Sequence, residues 1–232
     1  TAYFGAIGSD EYGAKLSEEA KKDGVNVCYQ TTSEKPTGTC GVLVTDDGER
    51  SLVANLAAAE TFNVSHLDTP DAMSIIEGAK IYYITGFFLT VSVDSMLKLA
   101  TDAATNGKIF TMNLSAPFLM EVPFLLEQMD KVMPYTDYVF GNESEAACYG
   151  KVKGYGEDLS QVALKLAAEP KASGTRPRVV VFTQGSECTI VACEGKVTRY
   201  DVDPLPKEML IDTNGAGDAF VGGFLSQMLL GK

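Results

Sequence analysis

Gly215, Gly217 and Asp218 fall within the ten residues Ile211-Asp-Thr-Asn-Gly-Ala-Gly-Asp-Ala-Phe220, directly before an apolar pattern at helical spacing. Phe220, Phe224, Leu225, Met228 and Leu229 supply that pattern, so a helix is expected from about Asp218. Glycine carries no Cβ, which lets the backbone take unusual dihedrals and lets a bulky anion approach. The unpaired N–H groups of the helix's first turn, with the positive end of its dipole, face back toward the glycine loop. Together they make an anion cradle, with Asp218 on its rim as a proton acceptor. An anion hole beside a base suits phosphoryl transfer to a hydroxyl. The plainer alternative is a strand-to-helix turn with Asp218 as a cap. The string is no P-loop, because no Gly-Lys in the chain precedes Ser or Thr. It is no Rossmann fingerprint either, because Phe220 stands three places past Gly217.

A second polar pair is Asn142 and Glu145, in the stretch Phe140-Gly-Asn-Glu-Ser-Glu145. At i and i+3 they share one face of a helical turn. That face can hold the water shell of Mg²⁺, a cation that keeps most of its waters and takes few protein ligands. The same spacing also makes a capping box, and the two readings are compatible.

The elements that must position these groups are legible as alternating patterns. Ala2 to Ile7 reads as a strand, and Ser9 or Asp10 can cap a helix to about Lys22, with Gly24 as its stop. Val25–Tyr29, Gly38–Thr45 and Ser51–Ala54 are short and β-rich, with a turn at Asp46-Asp47-Gly48, and read as one small antiparallel patch. Ala54 to Glu60 reads as helical. From Thr69 onward strands and helices alternate, with strands at Lys80–Thr85, Lys108–Asn113, Asp137–Phe140 and Val179–Thr183. Helices fall between them from Thr69-Pro70, from Ser92 to near Gly107, after Pro117, and over about Asp158–Glu169. Two further strands, Thr189–Cys193 and Val197–Val202, lead to the glycine loop. Such alternation predicts an α/β fold with a mostly parallel sheet covered on both faces, and ligands at the carboxyl ends of its strands.

The chain has 232 residues, 45% of them hydrophobic and 22% charged, enough for one substantial core. A net charge of −12 without a basic stretch argues against nucleic acid. Cys28, Cys40, Cys148, Cys188 and Cys193 form no C-x-x-C pair, so a reducing, cytoplasmic setting is expected. No apolar stretch is long enough to span a bilayer. His66, the single histidine, reads as a surface residue, and without G-x-S-x-G or a second histidine hydrolase chemistry has little support. The chain opens at Thr1 straight into a strand and stops at Lys232 just past a helix, so both ends read as cut.

The string from Ile211 to Phe220 resembles the signature of the ribokinase-like carbohydrate kinase family, and Phe140–Glu145 resembles its N-x-x-E motif. Lys35-Pro-Thr-Gly-Thr-Cys40, Arg50 to Ala59, Gly86-Phe-Phe-Leu-Thr90, Asn113-Leu-Ser-Ala-Pro-Phe118 and Phe182-Thr-Gln-Gly185 are similar to that family's adenosine-phosphorylating branch. The similarity covers nearly the whole chain. It implies a ribokinase-like α/β core at residues 1–25 and 61–232 and a small β-rich lid at 26–60, both incomplete. The implied reaction moves the γ-phosphate of ATP, with Mg²⁺, to the 5′-hydroxyl of adenosine, a purine-salvage step giving AMP and ADP. On the matching positions Asp218 is the base, Gly215-Ala216-Gly217 the anion hole and Arg50 a clamp on the transferring phosphate. Leu52, Leu56 and Phe118 would form an apolar slot for adenine, Thr183 and Gly185 would lie near ATP, and Asn142 with Glu145 would hold Mg²⁺ through water. Read from the residues alone, Arg50 is a solvated charge, the slot is ordinary packing, and Thr183 and Gly185 are plain loop. The family's ribose-binding segment would precede Thr1, and its cover for the ATP adenine would follow Lys232. A monomer is implied, with adenosine and ATP as partners and neither nucleic acid nor membrane. The alternatives are a sugar or other nucleoside kinase of the same family, and a catalytically idle nucleotide-binding relative or inactive fragment.

Overall fold

The computed structural model describes residues 1–45, 50–172, 176–206 and 209–231. Strand β1 (Ala2–Gly8) leads into helix α1 (Glu11–Lys22), whose N-cap Asp10 accepts a hydrogen bond from the Gly13 N–H at 2.9 Å. Strand β2 (Asn26–Thr32) then returns in parallel beside β1, from Ala2 opposite Asn26 to Gly8 opposite Thr32. This corrects the expected single antiparallel patch. A helix between two strands carries the chain back to its starting end, so β1 and β2 run the same way. Of that expected patch, β3 (Thr39–Val44) and β4 (Arg50–Asn55) do form an antiparallel ribbon, with Val44 opposite Arg50. The Asp46-Asp47-Gly48 turn lies outside the described residues. Helix was expected from Ala54, but β4 runs on to Asn55 and a 3₁₀ turn follows at Ala57–Thr61, entered through a positive φ of 44° at Ala57.

The base of the ribbon is tied to the first βα unit. Asp10 accepts from both the N–H and the hydroxyl of Thr37, at 2.7 and 2.6 Å, and the Gly8 N–H donates to the same hydroxyl at 3.0 Å. Gly8 is required here, because a Cβ would lie 2.6 Å from the Thr37 nitrogen.

The remaining elements follow the alternation. Helix α2 (Pro70–Gly78), β5 (Ile81–Thr85), α3 (Val93–Asn106) and β6 (Ile109–Asn113) come first. Next are α4 (Phe118–Glu121), α5 (Pro123–Val132), β7 (Tyr138–Asn142) and α6 (Glu143–Val152). The last are α7 (Leu159–Ala167), β8 (Val179–Gln184), β9 (Glu187–Cys193), β10 (Lys196–Tyr200) and α8 (Ala216–Leu229). One sheet has the order β10-β9-β8-β7-β6-β5, parallel from β5 to β8 and antiparallel at β9 and β10.

Alternate side chains of these strands face opposite layers, as a period of two requires. Tyr82, Phe110, Met112, Val139, Val180 and Phe182 pack with α3, α5, α6 and α7 into the main core. Phe140 and Val181, flanked by Tyr83, Tyr138 and Val179, face the other way and are covered by Val221, Phe220 and Phe224 of α8. Each large apolar side chain so buried contributes about 1.5–3 kcal/mol. Arg178, 1% exposed, lies just before β8 and donates to the carbonyls of Met133, Thr136, Leu166, Glu169 and Pro170. It thereby satisfies acceptors left over near the carboxyl ends of α5 and α7 and fixes both helices against the sheet.

His66 is half-buried rather than on the surface. Its ring contacts Phe62 and Phe4 edge-on, at 5.5 and 6.4 Å between centroids, and its Nε2 lies 3.0 Å from the Cys28 carbonyl oxygen. All five cysteines are free, and among the described residues no helix is long and apolar enough to cross a membrane.

Candidate active site

Strand β7 runs straight into α6, and Asn142 stands at the junction in extended backbone, at φ −94° and ψ 178°. Its Oδ1 accepts from the Glu145 N–H at 2.9 Å and from the Ser144 hydroxyl at 2.7 Å. In return the Glu145 carboxylate accepts from the Asn142 N–H at 3.1 Å and from its side-chain amide at 2.9 Å. The capping box is therefore complete. Glu145 is only 7% exposed, and Gly141 makes room for it, since a Cβ there would lie 3.3 Å from the carboxylate. Burial pushes its pKa up and the nearby Glu143 adds to this, while the Asn142 N–H pulls the other way.

Among the described residues no group of three His, Cys, Asp or Glu could cage a metal directly. Each oxygen of Glu145 accepts one hydrogen bond from Asn142 and keeps further acceptor capacity. Such a donor set fits a hydrated Mg²⁺ held through its waters better than a bare ion. Thr183 lies opposite Asn142 in the β7–β8 register, and its hydroxyl is 3.4 Å from the Gly141 carbonyl. Gly185 has a positive φ of 57° at the tip of the β8–β9 turn, with open space where a Cβ would point.

Helix α8 begins differently. Its N-cap Gly215 is left-handed, at φ 69° and ψ 5°, and no side chain caps the helix. A Cβ at Gly215 or Gly217 would meet nothing within 4 Å, so the loop surface is open. The Ala216 N–H donates to the Thr213 carbonyl at 3.3 Å, which removes one of the three amides expected in the cradle. A turn closes there before the helix starts. The N–H groups of Gly215, Gly217 and Asp218 have no acceptor among the described residues. Asp218 itself is exposed, and its charge and that of Glu145 both act on the buried Tyr83 hydroxyl.

The residues expected on the ribbon are less gathered. Arg50 starts β4, and its side chain lies outside the described residues. Leu52 and Leu56 are 55% and 42% exposed and Phe118 is 44% exposed, and none of the three belongs to a buried cluster. Phe118 leans against Phe87, with ring centroids 6.1 Å apart. Phe87 and Tyr83 are the neighbours that sequence reading passed over. Phe87 lies in the stretch Gly86-Phe-Phe-Leu-Thr90, whereas Tyr83 looks in sequence like any core aromatic of a strand.

Comparison with known proteins bears on the whole chain. Residues 1–232 match the pfkB family of carbohydrate kinases. Adenosine kinase 1 of Arabidopsis thaliana is 53% identical across all of this chain and 67% of its own length. The adenosine kinase of Schizosaccharomyces pombe is 44% identical, over 100% of this chain and 68% of its own. Among solved structures, Anopheles gambiae adenosine kinase in complex with P1,P4-di(adenosine-5) tetraphosphate superposes with a TM-score of 0.95 and 46% identity, over 100% of this chain and 68% of that one. Schistosoma mansoni adenosine kinase in complex with 2-fluoroadenosine gives a TM-score of 0.94 at 35% identity, with the same coverage. The chain thus spans about two thirds of the length of these relatives.

Proposed function

The chain belongs to the pfkB family of carbohydrate kinases, and within it to the adenosine kinases; on that premise we propose that Asp218 is the base of the transfer. The reaction passes the γ-phosphate of ATP to the 5′-hydroxyl of adenosine and yields AMP and ADP. The carrying observation is the uncapped start of α8, where the amides of Gly217 and Asp218 have no acceptor among the described residues, beside an exposed carboxylate.

Phosphoryl transfer goes through a loose transition state whose charge gathers on the equatorial oxygens, so positioning and electrostatics dominate. The amides of Gly215, Gly217 and Asp218 donate to those oxygens, and Arg50 adds its positive charge from the ribbon. Asp218 accepts the proton of the attacking hydroxyl late, once the bond to phosphorus is forming. Asn142 and Glu145 would hold the waters of Mg²⁺, which when bound with ATP would neutralise phosphate charge. Thr183 and Gly185 border the ATP phosphates. Residues 26–60 act as the lid, which brings Leu52 and Leu56 over the adenine against Phe118 and excludes water. Five free cysteines suit a reducing, cytoplasmic setting.

A coupled assay of ADP release by the full-length protein, with adenosine, inosine or ribose as acceptor, tests this reading. Turnover with adenosine should exceed that with the other two by at least tenfold. Equal turnover with ribose would reject the apolar slot.

A further inference from the structure

Tyr83 lies in the middle of β5, opposite Thr111 of β6, in a row that continues through Tyr138 of β7 to Val179 of β8. Its ring packs with Phe140, Val181 and Val221, under α8. The Thr111 hydroxyl is spent on the Tyr82 carbonyl at 2.8 Å. The Tyr83 hydroxyl is buried and, among the described residues, is the one buried side-chain polar atom without a hydrogen-bond partner. Packing gives no reason for it, because Phe would fill the same apolar space. A buried hydroxyl that nothing local satisfies calls for a partner that arrives or moves in.

The candidates for that partner are named by charge. Burial, then the carboxylates of Asp218 and Glu145, hold the Tyr83 phenol well above its ordinary range. It therefore stays protonated and keeps a proton to donate. Each carboxylate oxygen of Glu145 already accepts a hydrogen bond from Asn142 and so has a partner that orients it, whereas no hydrogen bond to the Asp218 side chain occurs among the described residues. Catalytic hydrogen bonds are commonly long in the free enzyme and tighten when substrate is bound.

We propose that Tyr83 is a positioning residue for Asp218: as the site closes, its hydroxyl donates to the Asp218 carboxylate, directly or through one water, and aims the other carboxylate oxygen at the acceptor hydroxyl. The inference rests on the reading of Asp218 as the base. It gives Tyr83 no direct contact with adenosine or ATP, so its loss touches turnover and spares binding.

The test is Tyr83→Phe in the full-length enzyme, alone and combined with Asp218→Asn. Alone it should lower kcat roughly ten- to a hundredfold and leave KM for adenosine and ATP within about twofold. In the Asp218→Asn background it should cost nothing more, since there is no carboxylate left to aim. The variant should also melt no lower than the wild type, because the hydroxyl it removes is unpaired. An unchanged kcat, an equal loss in both backgrounds, or a marked fall in melting temperature would each overturn the proposal. If Asp218→Asn alone keeps full turnover, the assignment of the base falls and this inference with it. A normal Asp218→Asn loss with an inert Tyr83→Phe would overturn this inference alone.

Discussion

Helices α6 and α8 have first turns built in opposite ways. At α6 a side-chain cap is in place: the Asn142 and Glu145 N–H groups are each accepted by the other residue's side chain, and Glu145 is 7% exposed. At α8 a left-handed Gly215 opens the helix with no side-chain cap, and Asp218 stands exposed. Both helix ends carry the same partial positive charge. The difference is that one end has a side-chain cap supplied by the chain, and the other has none. A closed end can hold a carboxylate rigidly for the waters of a cation. An open end can take an anion directly, and its neighbouring carboxylate can reach a substrate proton.

Three variants sharpen this contrast, beginning with the largest effect. Asp218→Asn should lower kcat by roughly 10²–10⁴ while adenosine affinity, read by calorimetry, stays nearly intact. An unchanged rate would remove Asp218 from the chemistry. Asn142→Ala should act on the fold first, lowering stability by about 0.5–2 kcal/mol through the lost cap. Denaturant midpoints would show this, and an equal loss from Asn214→Ala in the α8 loop would erase the distinction between the two ends.

The third and smallest effect depends on pH. The folded pKa of Glu145 is raised, so the native state holds a proton that the unfolded chain gives up more readily. The stability this group contributes is present below its unfolded value and is lost as pH rises through the folded one. Glu145→Gln has no such loss, and it can retain part of the cap. Its urea midpoint should therefore gain on that of the wild type as pH rises from about 4 to 8. A gap that stays constant across that range would contradict a desolvated Glu145.

Legibility from sequence followed how local each interaction is. The alternation after Thr69 was readable because strand and helix periods are properties of neighbouring residues, and Pro70–Gly78, Val93–Asn106 and Leu159–Ala167 fall close to their expected positions. The Asn142–Glu145 box was readable for the same reason, as an i, i+3 pair. Strand direction was not. Residues 26–32 are β-rich whichever way they run, and only the α1 crossover decides that they lie parallel to β1. The seat of His66 against Phe4, Phe62 and the Cys28 carbonyl joins segments far apart in the chain, so no spacing announces it. At the candidate site, the glycine loop and Asp218 were visible as a string. The engagement of the Ala216 amide by Thr213 depends on loop dihedrals that residue types do not specify. The Tyr83 hydroxyl is further out of reach, being defined by the lack of any hydrogen-bond partner among the described residues.

The claim at the centre is that the first turn of α8 is open to an anion and the first turn of α6 is not. Amide NMR of the full-length protein, titrated with an ATP analogue whose γ-phosphate cannot transfer, addresses it directly. The signals of Gly217 and Asp218 should move markedly while that of Glu145 stays nearly in place. Loop signals that stay still, or a Glu145 signal that moves as far as theirs, would contradict the account.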